Sequence, residues 1–221
     1  MTPLKIALTK GRLEKQTIAL FERMGLDCTD INNPGRRLIL PLDGGKYEVV
    51  LAKASDVITY IEHGAVDIGV IGKDTILEQG QSFFEVLDLG FGKCRFALAV
   101  ETDSDSNLPN LTVSAAARRF FDTYKRRRIA TKYPNVAADF FAKRGLDVEL
   151  IKIDGSVELS PLLGLADGIV DLVETGATLA ANGLCEIETI ADISARVIVN
   201  VASMKTRKSE INALLELMGR M

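Results

Sequence analysis

Short apolar runs that stop at a small-residue turn and restart with helical spacing recur along this chain. They restrict the fold to strands alternating with helices. LKIALTKGRL places Leu4, Ile6 and Leu8 in a buried strand that ends at Thr9-Lys10-Gly11. Leu13, Ile18, Leu20, Phe21 and Met24 then recur at helical intervals until Gly25. RRIATKYPNVAADFFAKRGLDVELIKI repeats the pattern, with a strand ending at Thr131-Lys132 and a helix carrying Val136, Phe140 and Phe141. That helix stops at Gly145-Leu146-Asp147, before a strand over Val148 to Ile153. A second echo links GAVDIGVIGKDTI (64–76) with GIVDLVETGATL (168–179): Asp67 and Asp171 lie 104 residues apart, as do Gly72 and Gly176. Two copies exclude a long solenoid.

Mostly parallel sheets with flanking helices are expected, in two similar α/β lobes around a cleft. The expected first lobe takes 1–92 and 180–221, and the second takes 93–179. The strand Phe96 to Val100 makes the outward crossing. After the return, Ile187 to Met221 rejoin the first lobe as a strand (Arg196 to Ala202) and a closing helix (Ser209 to Met218). The segment Ser104 to Lys125 is less regular: it holds Asp103-Ser104-Asp105-Ser106-Asn107 and Pro109, and then a helix. Ligands of open α/β sheets bind beyond the carboxyl ends of the strands, so both sets of turns are expected to face one cleft.

The stretch DGIVDLVETGATLAANGL (167–184) carries the strongest chemical signal. An apolar strand with an acid at Asp171 breaks at Glu174-Thr175-Gly176 and restarts as a helix. Strand, small-residue turn and helix together aim backbone N–H groups at an anion. Gly176 permits close approach of the backbone, and Thr175 and Thr178 add hydroxyl donors. Asp171 and Glu174 would repel phosphate. They suit the hydroxyls of an attached sugar, or a magnesium ion between them and the ligand. The loop reads as a sugar-phosphate site.

Cations gather at other junctions. Lys10, Gly11 and Arg12 follow the first strand and suit a polyphosphate. Arg36 and Arg37 follow the turn Asn33-Pro34-Gly35 and could clamp a second anionic group. Lys53 and Asp56 flank a further strand-to-helix junction, and Asp74 lies in the glycine turn of the first lobe.

Composition removes whole classes of function. The chain has 221 residues, 47% apolar and 26% charged, with a net charge of −3, so general attraction to nucleic acid is not expected. The basic cluster Lys125-Arg126-Arg127-Arg128, next to Arg118-Arg119, reads as a solvated loop before a strand; the sharper alternative is a patch for a polyanion or an acidic partner. Three scattered cysteines (Cys28, Cys94, Cys185) form no CxxC pair, and the one histidine, His63, sits in a polar turn. A zinc site or a histidine-based triad is not expected. The N-terminus reads as a strand rather than an export signal, and no apolar run reaches membrane-spanning length. A reducing, cytoplasmic setting is expected.

Over nearly its whole length the chain resembles the ATP phosphoribosyltransferase family. The resemblance rests on ALTKGRL (7–13), GAVDIGVIGKD (64–74), DLGFGKCRFALA (88–99), RIATKYPN (128–135) and GSVELSPLLGLADGIVDLVETGATLAANGL (155–184). It implies two lobes like those of type II periplasmic binding proteins. It also implies the first step of histidine biosynthesis: adenine N1 of ATP joins the anomeric carbon of phosphoribosyl pyrophosphate, and pyrophosphate leaves with magnesium. By resemblance, Glu174, Thr175, Gly176, Ala177, Thr178 and Leu179 form the phosphoribosyl pyrophosphate loop, with Asp171 and Glu158 near the ribose. Lys10, Gly11 and Arg12 lie at the polyphosphate end. Asp67, Gly72 and Asp74 belong to the ATP side, and Arg37 and Lys53 face the leaving pyrophosphate. Magnesium is expected mainly on substrate phosphates. Lys53 stands where the family pattern has arginine and cannot make a bidentate fork. Ile58 replaces a proline, which affects only the helix start.

The chain ends after its closing helix, which matches the short form of the family. Short forms work with a regulatory subunit resembling histidyl-tRNA synthetase, in an implied hetero-octamer. Two other readings are weaker. A type I nucleobase phosphoribosyltransferase would need adjacent acids before the loop, whereas Leu172-Val173 separate Asp171 from Glu174. A non-enzymatic two-lobed solute-binding protein would need no second cationic loop.

Overall fold

The computed structural model describes residues 2–80, 82–102, 116–121 and 125–220. In chain order the strands are β1 (Leu4–Thr9), β2 (Ile39–Leu42), β3 (Tyr47–Ala52), β4 (Ile68–Gly72), β5 (Phe84–Asp88), β6 (Cys94–Glu101), β7 (Arg127–Thr131), β8 (Val148–Lys152), β9 (Gly168–Val173), β10 (Leu184–Ile193) and β11 (Ala195–Val199). The helices are α1 (Arg12–Arg23), α2 (Thr29–Asn32), α3 (Ala54–Glu62), α4 (Lys73–Gln79), α5 (116–121), α6 (Pro134–Lys143), α7 (Leu159–Leu162), α8 (Ala177–Ala181), α9 (Val201–Thr206) and α10 (Lys208–Gly219). The chain forms two units, Met1–Lys93 with Ser194–Met221, and Cys94–Ile193. The irregular stretch expected around Asp103 to Pro109 lies outside the described residues.

The first unit holds a six-stranded sheet, β2-β3-β1-β4-β11-β5. Its strands send alternate residues to opposite faces. Leu4, Ile6 and Leu8 pack with Leu20 and Phe21 of α1 and with Ile211 and Leu214 of α10. Ala7 and Ile71 face the other way, onto Val57, Ile58 and Ile61 of α3. Helices therefore cover both faces, and the apolar spacing of α1 is satisfied by one of them. Burying each large apolar side chain contributes about 1.5–3 kcal/mol. Close packing explains Gly69: a Cβ there would meet Val57 Cγ1 at 2.9 Å and Ile198 Cγ1 at 3.0 Å.

The second unit holds a five-stranded sheet, β10-β6-β9-β7-β8. Ala130 and Ile169 face Val157, Leu179 and Leu184. Ile129 and Val170 face Phe120 of α5 and Phe140 and Phe141 of α6.

Three expectations need correction. The sheets are mixed rather than mostly parallel. β1 pairs in parallel with β3 and β4, and β7 with β8 and β9, but β2, β6, β10 and β11 pair antiparallel with their neighbours. The return crossing falls between Ile193 and Ser194, not after residue 179. α8 and β10 stay in the second unit because β10 pairs along β6 from Leu184↔Glu101 to Ile193↔Cys94. The last strand ends at Val199; Asn200 caps α9 by accepting the Ser203 amide at 2.9 Å, a helix the apolar run concealed.

The internal echo also has a different register. Asp67 accepts the Lys5 amide at 2.9 Å, while its own amide donates to the Lys5 carbonyl at 3.0 Å. Asp167 does the same with Arg128, at 2.8 and 2.7 Å. The turns before them match as well: Ala65 N–H donates to the Tyr60 carbonyl at 2.9 Å, and Leu165 N–H to that of Ser160 at 2.9 Å. Asp67 therefore corresponds to Asp167, 100 residues on, and not to Asp171. Gly72 and Gly176, 104 apart, both cap the helix that follows. Four extra residues thus enter the second unit between strand and helix.

Candidate active site

In the first unit β1, β3 and β4 run parallel, so their carboxyl ends share one edge of the sheet. Lys10 stands there, its amide bonded to the Ala52 carbonyl at 2.9 Å. Lys53 is the exposed N-cap of α3. β2 is antiparallel to β3 with Ile39 opposite Val50, which brings Arg37 to the same edge. Register thus gathers Lys10, Gly11, Arg12, Arg37, Lys53, Gly72 and Asp74 along one edge, a cation-rich border suited to phosphates.

Local bonds tie several of these groups. The Gly11 amide donates to the Glu14 carboxylate at 3.0 Å, which satisfies the first donor of α1 from within the chain. Arg37 pairs with Asp30 at 2.8 Å and donates from Nη2 to the Asn33 carbonyl at 3.2 Å, yet its side chain remains about half exposed, at 48%. Asp74 folds back over Gly72, so closely that a Cβ on Gly72 would lie 2.0 Å from Asp74 Oδ1.

Asp67 does not join this group. It precedes β4 at the opposite end of the strand, about 13–17 Å away at some 3.3 Å per residue. Its carboxylate accepts the Lys5 amide, the Ser203 hydroxyl at 2.7 Å and Arg207 Nη1 at 3.3 Å. These partners give it a structural place, between the start of β1 and the α9–α10 corner.

In the second unit β7, β8 and β9 are parallel, and their carboxyl ends carry the loop of interest. Asp171 is on β9, and burial holds its carboxyl above the usual carboxylate range. The neighbouring Glu158 charge pushes the same way, while the Leu172 amide at 2.8 Å and the Lys132 ammonium pull against it. Asp171 thus lies within electrostatic reach of both Glu158 and Lys132. Gly176 then turns the chain in the left-handed region, φ 80° and ψ 0°, which favours glycine. Among the described residues outside its immediate neighbours, a Cβ built on it would meet only Val173 Cγ1, at 4.0 Å, so the turn is not crowded. Thr175 Oγ1 accepts the Ala177 amide at 3.3 Å. The amides of Thr178 and Leu179, in the first turn of α8, have no partner within their helix.

Two residues at this edge went unread in the sequence. Lys132 follows β7, and its charge reaches Asp171. Arg95 opens β6, opposite Val173, and grips both Glu186 and the Glu174 carbonyl. Isolated cations without a glycine turn gave no signal. The basic cluster is largely matched within the chain: Lys125 and Arg128 approach Asp167 at 3.6 and 3.8 Å, and Arg126 meets Asp147 at 3.0 Å. Arg127 lies over the Phe120 ring at 5.3 Å.

Comparisons with known proteins identify the family. The sequence model of the family described as HisG, ATP phosphoribosyltransferase, matches residues 53–220. The chain is similar to the ATP phosphoribosyltransferase of Clostridium kluyveri, 55% identical over 96% of this chain and 90% of that protein. It is similar to that of Clostridium botulinum, 52% identical over 98% and 96%. Among solved structures it is similar to the ATP phosphoribosyl transferase (HisG:HisZ) complex of Thermotoga maritima, at a TM-score of 0.77 and 30% identity, over 97% of this chain and 96% of that one. The periplasmic aliphatic sulphonate binding protein SsuA of Escherichia coli aligns at a TM-score of 0.56 and 12% identity, over 99% and 72%, a likeness of fold alone. The chain belongs to the ATP phosphoribosyltransferase family, the enzymes of the first step of histidine biosynthesis.

Proposed function

We propose that this chain joins adenine N1 of ATP to the anomeric carbon of phosphoribosyl pyrophosphate and releases pyrophosphate. The observation that carries this reading is the loop over 174–179. A left-handed Gly176 opens a helix, with Asp171 on the strand that precedes it and the charge of Glu158 within reach of Asp171. Amides and hydroxyls of Thr175 to Leu179 hold the 5′-phosphate. Asp171 and Glu158 accept the ribose hydroxyls. Lys10, Gly11, Arg12, Gly72 and Asp74 form the nucleotide side, and Arg37 and Lys53 face the leaving group. Asp67 is withdrawn from the nucleotide side, since its carboxylate is filled elsewhere.

Adenine N1 has a free lone pair, so the reaction needs no strong base. The bond from the anomeric carbon to the pyrophosphate oxygen breaks, its electron pair leaves with pyrophosphate, and N1 takes its place. Positive character builds on the sugar ring, as in glycoside chemistry. The residues act by aligning the substrates and neutralising the departing charge. The paired carboxylates fit a hard cation that keeps most of its ligands on substrate phosphates. Bound magnesium would supply charge neutralisation on the pyrophosphate. A regulatory subunit of the HisZ kind, a hetero-octameric assembly and a cytoplasmic setting complete the reading.

The test is incubation with ATP, phosphoribosyl pyrophosphate and magnesium, with and without the regulatory subunit. The ultraviolet change of an N1-alkylated adenine is expected. No change under either condition, or turnover only with a free nucleobase, overturns the reading.

A further inference from the structure

Arg95 and Glu186 stand 91 positions apart, on β6 and β10, and meet as a fork. Arg95 Nε lies 3.0 Å from both carboxylate oxygens, and Nη2 lies 2.6 Å from Oε2. The Thr189 hydroxyl donates to Glu186 Oε1 at 2.7 Å and fixes the acid in turn. A bidentate fork locks the plane of the guanidinium. Only Nη1 is then left to point elsewhere, and it donates to the Glu174 carbonyl at 3.2 Å. Glu174 is the first residue after β9 and lies within the four-residue insertion that the first unit lacks. The register of β6 puts Arg95 beside this exit, opposite Val173. β10 shifts its pairing between Glu186 and Glu188. Such a bulge re-aims side chains on a strand.

We infer that Arg95, held by Glu186, is a positioning residue that sets the direction in which the 174–179 loop leaves the sheet, and so its grip on the sugar phosphate. This rests on the function proposed above. Arg95 touches no reacting atom. Lysine at this position keeps the charge for Glu186 but cannot fork and donate sideways at once.

Calorimetry with phosphoribosyl pyrophosphate and steady-state kinetics on the whole chain with its regulatory subunit test this. Arg95→Lys is expected to weaken phosphoribosyl pyrophosphate about tenfold in Kd and KM, the size of one charge-assisted hydrogen bond. The KM for ATP is expected to stay unchanged, and kcat to hold, as for loss of uniform binding. The exchanged pair Arg95→Glu with Glu186→Arg is expected to recover the Tm lost in Arg95→Glu alone. It is not expected to recover the KM, because glutamate at 95 has no donor for the Glu174 carbonyl. Arg95→Lys with wild-type affinity, or an exchanged pair that restores KM together with Tm, overturns the inference. A wild-type chain that binds no phosphoribosyl pyrophosphate refutes the parent reading instead.

Discussion

The turn after β4 and the turn after β9 leave equivalent strands and end differently. Both strands begin at an aspartate that exchanges two hydrogen bonds with the neighbouring strand, Asp67 with Lys5 and Asp167 with Arg128. β4 then runs straight into α4, and Asp74 closes over the capping Gly72. β9 is followed by four extra residues, and the chain turns left-handed at Gly176 without crowding, Val173 Cγ1 standing 4.0 Å from a Cβ built there. One frame thus supports two chemistries. The first unit sets cations along its edge; the second sets backbone donors and two acids. On the function proposed above, the first unit would take the departing charge and the second the sugar phosphate, a difference carried by loop length and by the side chains each edge presents.

Mutations should separate these roles, and four outcomes would sharpen or break the contrast. Arg37→Ala in the first unit should lower kcat roughly a hundredfold, about 3 kcal/mol, because leaving-group charge grows in the transition state. An unchanged turnover number at saturating substrates removes Arg37 from the mechanism. Asp67→Ala should cost about 1–3 kcal/mol of stability by leaving the Lys5 amide and the Ser203 hydroxyl without their acceptor, while Arg207 keeps Glu210, and leave the KM for ATP unaltered. Denaturant unfolding beside kinetics checks this, and a raised KM in a stable variant would return Asp67 to the nucleotide site. Gly176→Val should weaken phosphoribosyl pyrophosphate about tenfold to a hundredfold, since a β-branched residue there strains the backbone by roughly 1–3 kcal/mol. Intact affinity by calorimetry refutes it.

Asp171→Asn should have the smallest effect on stability, in the favourable direction. Burial raises the Asp171 pKa from its ordinary 3.8, so the folded chain holds that proton more tightly than the unfolded one. Stability from this group is present at low pH, falls as pH rises through 3.8, and is lost above the raised value. Asparagine removes the cost, so Tm at neutral pH should rise slightly while affinity for the sugar phosphate drops. Glu186 acts in the opposite sense: the Arg95 hydrogen bonds lower its pKa below 4.5, so its contribution is present above 4.5 and is lost as pH falls through the lowered value. A Tm–pH profile of Asp171→Asn no flatter than wild type between pH 4 and 7 would show that burial of this acid carries no stability cost.

The alternation of apolar runs made the strands and helices legible, and the glycine turns made the 174–179 loop legible. Register was harder. A single strand of letters aligned Asp67 with Asp171 because the glycines matched, and hid an insertion that only paired backbones reveal. The antiparallel strands were also hidden, because β6, β10 and β11 carry the same apolar patterns as parallel ones; direction is a property of partners. The return crossing was set too early for the same reason. Lys132 and Arg95 went unnoticed because a lone cation acquires meaning only from what folding sets beside it.

In the six-stranded sheet β11 lies between β4 and β5, and among the described residues it is the one strand joining β5 to the rest. It follows the whole of the second unit in the chain. During synthesis from the amino terminus, roughly a hundred residues must emerge, at about 5–20 per second, before the gap is filled. For those seconds two bare strand borders await the same late arrival. The nascent chain is then most open to mispairing, and most in need of protection, just before its last strand appears.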